Sequence, residues 1–280
     1  MRRPRTTAEI AAGVGAASES ALKRLSRDER VGVRDCARRE LRRRTAAKAE
    51  RERLERMLAY ERELWARGVV RVAGIDEVGV GPLAGPVVAA AVILPPGCSI
   101  TGIDDSKQLD HEARVRLAGE IRERAVAYAI ASCSVDEIDR WNIYRASLQA
   151  MHRAVMGLRV APEHLLVDAR TVPAVTVGQT AIIQGDAKSQ SIAAASIVAK
   201  VERDALMERL AQKHPGYGFE KHKGYATPEH FEALRRLGAC DIHRRSFSPV
   251  AVAERQAELF ATDVVVAPAD DQLSLPLTSR

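Results

Sequence analysis

Ala73-Gly74-Ile75-Asp76-Glu77-Val78-Gly79-Val80-Gly81-Pro82-Leu83-Ala84-Gly85-Pro86 reads as a short apolar strand that delivers two adjacent carboxylates and then enters a glycine- and proline-rich turn. Holding one ionised carboxylate against an apolar sheet is costly, and two side by side repel each other. A divalent cation between them resolves both problems. An isolated Asp-Glu pair is more often part of a solvated turn. Here, three glycines and two prolines between positions 79 and 86 point the other way, because they let a second backbone approach closely. The spacing of Gly79, Gly81 and Gly85 is one residue too long for a dinucleotide fingerprint. The next segment, Val87 to Leu94, is a strand-like apolar run where that fingerprint needs a helix. The stretch therefore predicts two hairpin-like strands, with an acidic pair carried by the first.

Two further acids follow short apolar runs. Leu165-Leu166-Val167 leads to Asp168, and Ile182-Ile183-Gln184-Gly185 leads to Asp186, just before an alanine-rich helix from Ile192 to Ala199. Taken singly, Asp168 is a turn former and Asp186 a helix N-cap. Taken together, three strands each end near an acid, and rigid strand ends are where catalytic carboxylates are best held. Four carboxylates without histidine or cysteine ligands favour a hard cation, Mg2+ or Mn2+, over zinc. Two such ions can clamp the attacking and leaving oxygens of a phosphodiester, so the chemistry predicted is phosphoryl transfer.

Around these acids the pattern predicts strands near 69–76, 87–94, 126–133, 164–168 and 180–184. Helices fit near 111–124, 135–157, 190–212, 228–237 and 249–260. Hairpin-like strands followed by strands alternating with helices imply an α/β fold with a mixed sheet flanked by helices. Residues 1–68 read as a helical N-terminal arm. Leu54, Met57, Leu58, Glu61 and Trp65 form one stripe, apolar except at Glu61, and Gly68 supplies a stop. The expected division is a basic arm (1–68), a catalytic body with C-terminal helices (69–262) and a flexible tail (263–280).

The charge is uneven. Residues 1–70 carry 19 of the 43 Lys/Arg and 11 of the 37 Asp/Glu, which leaves 24 against 26 in the rest. A basic arm on a near-neutral body fits a nucleic-acid partner, because cations near phosphates release counterions. No apolar run approaches the length of a membrane span, and the four cysteines are widely spaced. The expectation is a cytoplasmic monomer with reduced thiols.

With these residues in place, the chain resembles ribonuclease HII. The resemblance is carried by Gly74-Ile75-Asp76-Glu77, Gly81 to Pro86, Asp105-Ser106-Lys107-Gln108-Leu109, Val167-Asp168, Gly185-Asp186-Ala187-Lys188-Ser189 and Ala194 to Lys200. His222-Lys223-Gly224-Tyr225-Ala226-Thr227 and His243-Arg244-Arg245-Ser246-Phe247 complete it, so that it spans about residues 70–250. The resemblance implies a ribonuclease H-like fold with a five-stranded mixed sheet. It also implies that Asp76, Glu77, Asp168 and Asp186 are catalytic and bind two ions of Mn2+ or Mg2+. The implied reaction is hydrolysis of the RNA strand of RNA–DNA hybrids, and cleavage 5′ to ribonucleotides embedded in duplex DNA. The products are 3′-hydroxyl and 5′-phosphate ends, in ribonucleotide removal and primer processing.

The resemblance further assigns Gly79, Val80 and Gly81 to the 2′-hydroxyl and Tyr225 to the RNA–DNA junction. Lys107, Lys200 and Arg203 are expected to reach backbone phosphates. Val80 stands where the family usually has arginine, and its isopropyl group cannot grip phosphate as a guanidinium does. Weaker substrate binding is expected, with specificity largely kept because the glycine backbone remains. The alternatives are a ribonuclease HIII-like preference for longer RNA and a non-catalytic nucleic-acid binder. In the tail, Gln272, Leu273, Leu275 and Leu277 resemble the short peptide that docks replication and repair enzymes on the bacterial sliding clamp.

Overall fold

The computed structural model describes residues 6–262, with side chains to 256. The helices of the arm are α1 (Thr7–Gly13), α2 (Glu19–Leu25), α3 (Val31–Met57) and α4 (Ala59–Ala66). The body follows as β1 (Val72–Val78), β2 (Val87–Ile93), α5 (His111–Arg124), β3 (Ala127–Cys133), α6 (Val135–Trp141) and α7 (Ile143–Met156). It continues with β4 (His164–Asp168), β5 (Gly178–Ile182), α8 (Gln190–Lys213), α9 (Phe219–His222), α10 (Pro228–Leu237) and α11 (Ser248–Thr262).

The five strands form one sheet in the order β3-β2-β1-β4-β5. The β1–β2 and β2–β3 pairs are antiparallel, whereas β1–β4 and β4–β5 are parallel. This is the expected mixed sheet. Val87 to Ile93 is buried throughout, because helices cover both faces. On one face Ala90 and Val92 meet Ala194, Ile197 and Val198 of α8 and Leu117 of α5. On the other, Ile75, Ala89 and Ala91 meet Ala150, Met151 and Ala154 of α7. The small Ala89-Ala90-Ala91 run lets both helices sit close to the sheet. The first half of α8 is mostly apolar and buried all round, with Gln190, Ser191 and Ser196 as its buried polar residues.

Several boundaries differ from expectation, and four of the differences have a local reason. β1 begins at Val72, because Val69 N–H still bonds Leu64 O and the N–H groups of Val70 and Arg71 go to the Glu163 carboxylate. It also runs on through the acidic pair, since Asp76 and Glu77 pair with Ala90 and Ala89 of β2. The expected 135–157 helix is two helices. Asn142 lies at φ 70° and caps α7 by accepting a hydrogen bond from Arg145 N–H. β5 stops at Ile182, because Gln184 takes a left-handed conformation (φ 56°).

The change at residue 68 is one of secondary structure, not of core. Val14, Leu22 and Ala37 make a small cluster of their own in the arm. Leu54 and Met57, however, belong to the core shared by β2, α5 and α8, and Leu64 packs with Val72, Leu166 and Ile192. The cysteines are all free thiols, and Cys240 lies with His214 and Asp241, their donor atoms within 4.8 Å of one another. The tail peptide containing Gln272, Leu273, Leu275 and Leu277 lies outside the described residues.

Candidate active site

Parallel pairing of β1 with β4 ends at Ile75↔Val167, so Asp76 and Asp168 stand at the next position on adjacent strands. Glu77 follows Asp76 on β1. Asp186 arrives differently from the expectation. It sits neither on a strand end nor at a helix N-cap, but in a single 3-10 turn, Gly185–Ala187. The N-cap of α8 is Ser189. A cleft of about 540 Å³ is lined by Asp76, Glu77, Gly79, Asp168, Lys107 and Tyr225, among others.

The electrostatics of this cluster are those of crowded, desolvated carboxylates. Burial pushes the Asp76 carboxyl well above the usual range, and repulsion from Glu77 and Asp168 adds to it. Burial also raises Glu77; Arg170 works against that shift and Asp168 adds to it. Asp186 is raised by burial and then by Asp105 and Asp168. Few compensating donors reach these groups. Asp76 Oδ1 accepts from Glu77 N–H at 2.7 Å, and Asp168 Oδ1 from Gly185 N–H at 2.7 Å. Arg170 approaches Glu77 Oε1 at 3.4 Å, and Lys107 approaches Asp186 Oδ2 at 3.8 Å. The donor set is all oxygen, negatively charged and under-compensated, which fits divalent hard cations.

The expected substrate-binding residues divide into two groups. Lys107 is highly exposed at the cleft, and Tyr225 is 40% exposed. Lys200 lines the same cleft, with its ammonium 2.7 Å from Asp204 Oδ1 and 5.8 Å from the centre of the Tyr225 ring. These three can meet a ligand. Arg203 cannot do so as expected, because its side chain is fully buried and reaches no open surface. Its guanidinium donates to Pro86 O, Ala84 O and Lys223 O, and so braces the glycine-rich turn from behind.

Sequence reading gave Arg244 no role, yet it completes this brace. It is also fully buried and donates to Gly79 O, Val80 O and Gly85 O. The turn expected to contact substrate through its main chain therefore has two carbonyls, those of Gly79 and Val80, tied down by one guanidinium. Arg170 was missed as well. It spans Glu77, the Ser147 hydroxyl (2.7 Å) and the face of Tyr144 (5.1 Å). Ser106 and Ser196 share a hydrogen bond of 3.0 Å, and Ser196 lines the cleft with Asp76, where its hydroxyl works against the rise of that carboxyl. Asp105 adds a fifth negative charge near Asp186. The one signal available for Arg244 was its place in a motif.

A mixed sheet of this order, with carboxylates on adjacent central strands and helices on both faces, defines the ribonuclease H-like class of nucleases. Within that class the chain belongs to the ribonuclease HII family. The family model for ribonuclease HII matches residues 73–250, and that for the ribonuclease HII N-terminal domain matches residues 6–65. A ribonuclease HII from Anaeromyxobacter sp. is 57% identical over 241 residues, covering 85% of this chain and 76% of that protein. Among solved structures, the ribonuclease H2 of Pyrococcus horikoshii matches with a TM-score of 0.58 at 27% identity, covering 67% of this chain and 99% of the other. The ribonuclease HII of Archaeoglobus fulgidus, solved in complex with PCNA, matches with a TM-score of 0.54 at 29% identity, covering 65% and 96%. The chain is accordingly a ribonuclease H type 2 endoribonuclease. No helix among the described residues is long and apolar enough to cross a membrane.

Proposed function

We propose that Asp76, Glu77, Asp168 and Asp186 hold two divalent ions, Mn2+ or Mg2+, and that the enzyme hydrolyses the RNA strand of RNA–DNA hybrids and cuts 5′ to ribonucleotides embedded in duplex DNA. The observation that carries this reading is the crowding of carboxylates at the ends of β1 and β4 and in the turn after β5, where burial and mutual repulsion raise Asp76, Glu77 and Asp186. Bound divalent ions supply Lewis-acid stabilisation of the charge that develops during phosphodiester hydrolysis. The chain's own groups do the rest. The Ser196 hydroxyl, held by Ser106, stands in the cleft with Asp76. Arg244 holds the Gly79-Val80-Gly81 turn, and Arg203 the Ala84 and Pro86 carbonyls just beyond it, so that the turn's main chain can read a 2′-hydroxyl, the group that distinguishes RNA from DNA at a single site. Lys107 and Lys200 offer cations to backbone phosphates, and the exposed Tyr225 offers a ring face to the sugar or base at the junction.

The test is cleavage of a labelled duplex with one embedded ribonucleotide beside a matched long hybrid, with Mg2+, Mn2+ or EDTA. Metal-dependent cutting 5′ to the single ribonucleotide is expected. Cutting of the long hybrid alone would move the assignment to a ribonuclease HIII-like preference, and binding without cutting would make the chain a non-catalytic binder. In the same assay Val80→Arg, which adds a guanidinium at the rim, is expected to lower KM more than it raises kcat; an unchanged KM would count against any cost from Val80.

A second part of the reading concerns the tail, where Gln272, Leu273, Leu275 and Leu277 form a clamp-docking peptide. Its support is the glutamine-and-leucine pattern, together with the PCNA complex of the Archaeoglobus relative. Deleting residues 271–280 should abolish pull-down by the bacterial sliding clamp and leave cleavage in solution unchanged. Clamp binding that survives the deletion would refute the assignment.

A further inference from the structure

Glu61 breaks the apolar stripe of the arm, yet it is only 1% exposed. Its Oε1 accepts hydrogen bonds from Ser189 Oγ at 2.6 Å and from Ser191 N–H at 3.0 Å. Ser189 is the N-cap of α8, and its hydroxyl oxygen accepts from Ile192 N–H at 3.2 Å. A carboxylate from the arm thus closes the N-terminus of the helix that follows the Asp186 turn. One residue further on, Gln190 is buried and makes a second tie: its side chain donates to Leu54 O and accepts from Ile100 N–H.

The turn between is short and closed. Ser189 N–H and Lys188 N–H both return to Gly185 O, at 2.8 and 3.0 Å, with Asp186 held between. Gly185 N–H donates to Asp168 Oδ1. One end of the Asp186 turn is therefore anchored on a carboxylate of the site, and the other on a carboxylate of the arm. Packing alone does not explain an acid here. Burying a carboxylate is costly, Oε2 has no hydrogen-bond partner, and leucine would complete the stripe. The N-terminus of α8 offsets part of that cost through its free N–H groups and its dipole.

We propose that Glu61 is a positioning residue for Asp186: by fixing Ser189 and the start of α8, it sets where the Asp186 carboxylate stands, so the arm forms the outer support of the metal site. This rests on the reading of Asp186 as a metal ligand. Supporting groups behind metal ligands commonly contribute about 10- to 100-fold in metal affinity.

The experiment is calorimetric titration of the full-length, metal-free chain with Mn2+, beside the Mn2+ dependence of cleavage. Glu61→Leu is expected to weaken Mn2+ binding about tenfold or more and to shift the activation curve to higher Mn2+ by a similar factor. Activity should return largely at saturating Mn2+. Glu61→Gln keeps the size and one acceptor oxygen, and should restore most of the affinity. If Glu61→Leu fails to fold, Glu61→Asp carries the measurement, since it keeps the charge but draws the oxygens back from Ser189. A variant with a lower melting temperature and wild-type Mn2+ affinity would overturn the proposal and leave Glu61 a structural cap. Asp186→Asn is the reference, because unchanged Mn2+ binding in that variant would overturn the metal reading itself, and the proposal with it.

Discussion

Asp76→Asn is expected to lower cleavage at least about a thousandfold while raising the melting temperature of the metal-free protein. Both effects come from one cause. Asp76 is the most confined acid of the cluster, raised by burial and by repulsion from Glu77 and Asp168. A carboxyl whose folded pKa lies above its unfolded value binds its proton more tightly in the folded state. Its contribution to stability is therefore fully present below the unfolded carboxylate range, near pH 4, and is lost as pH rises through the folded value. Glu77 and Asp186 are raised too, so the metal-free enzyme should weaken as pH climbs from about 4 toward neutrality. An amide at position 76 removes one charge and relieves its neighbours. At neutral pH a gain of about 1–2 kcal/mol is expected. In a chain of this size that is roughly 2–4 °C per kcal/mol. Mn2+ should stabilise the wild type strongly and the variant little. Thermal unfolding across pH 4–8, with and without Mn2+, checks all of this. A variant that keeps its activity, or one whose metal-free stability falls with pH as steeply as the wild type's, would remove Asp76 from the metal site.

Much of this arrangement can be read directly from the residues. The unbroken apolar run at Val87 to Ile93 announces a strand covered on both faces, and the carboxylates at 76, 77, 168 and 186 stand out because each follows an apolar segment. Less visible are the buried charged groups. Arg203 and Arg244 have the composition of surface cations, and nothing local says that their donors end on main-chain carbonyls of the turn at 79–86. Glu61 reads as a gap in a stripe, when it is a buried acceptor facing a helix start. Hydrophobic periodicity reports which face of an element leaves water. It does not report which polar side chains leave with it, because that depends on partners distant in the chain. The break at Asn142 is of another kind, since a single residue with φ 70° divides a segment whose apolar period continues across it.

Gly74→Ala is expected to be the most damaging small substitution in the sheet, costing more than about 4 kcal/mol or abolishing soluble expression. The glycine lies in β1, not in the turn, and its value is closeness. A methyl group there would fall 2.0 Å from both the carbonyl carbon and the oxygen of Ser191, and 2.4 Å from Ile192 N. All three are main-chain atoms, so no side-chain rotation relieves the clash. Either β1 or the start of α8 must move. The first half of α8 is buried on every side, so a shift there disturbs the packing of Ile192 to Ala199. It would also draw Ser189 from Glu61 and move Ser196 within the cleft it lines with Asp76, so any folded fraction should lose activity as well. Gly81→Ala is the control. A methyl group at Gly81 meets nothing within 4 Å, so its stability should stay within about 0.5 kcal/mol of wild type. Urea denaturation of both variants separates the two roles of glycine in one motif. A wild-type midpoint for Gly74→Ala would mean that β1 and α8 are not packed backbone to backbone. Lost activity in a stable Gly81→Ala would place the substrate, not the fold, against that glycine.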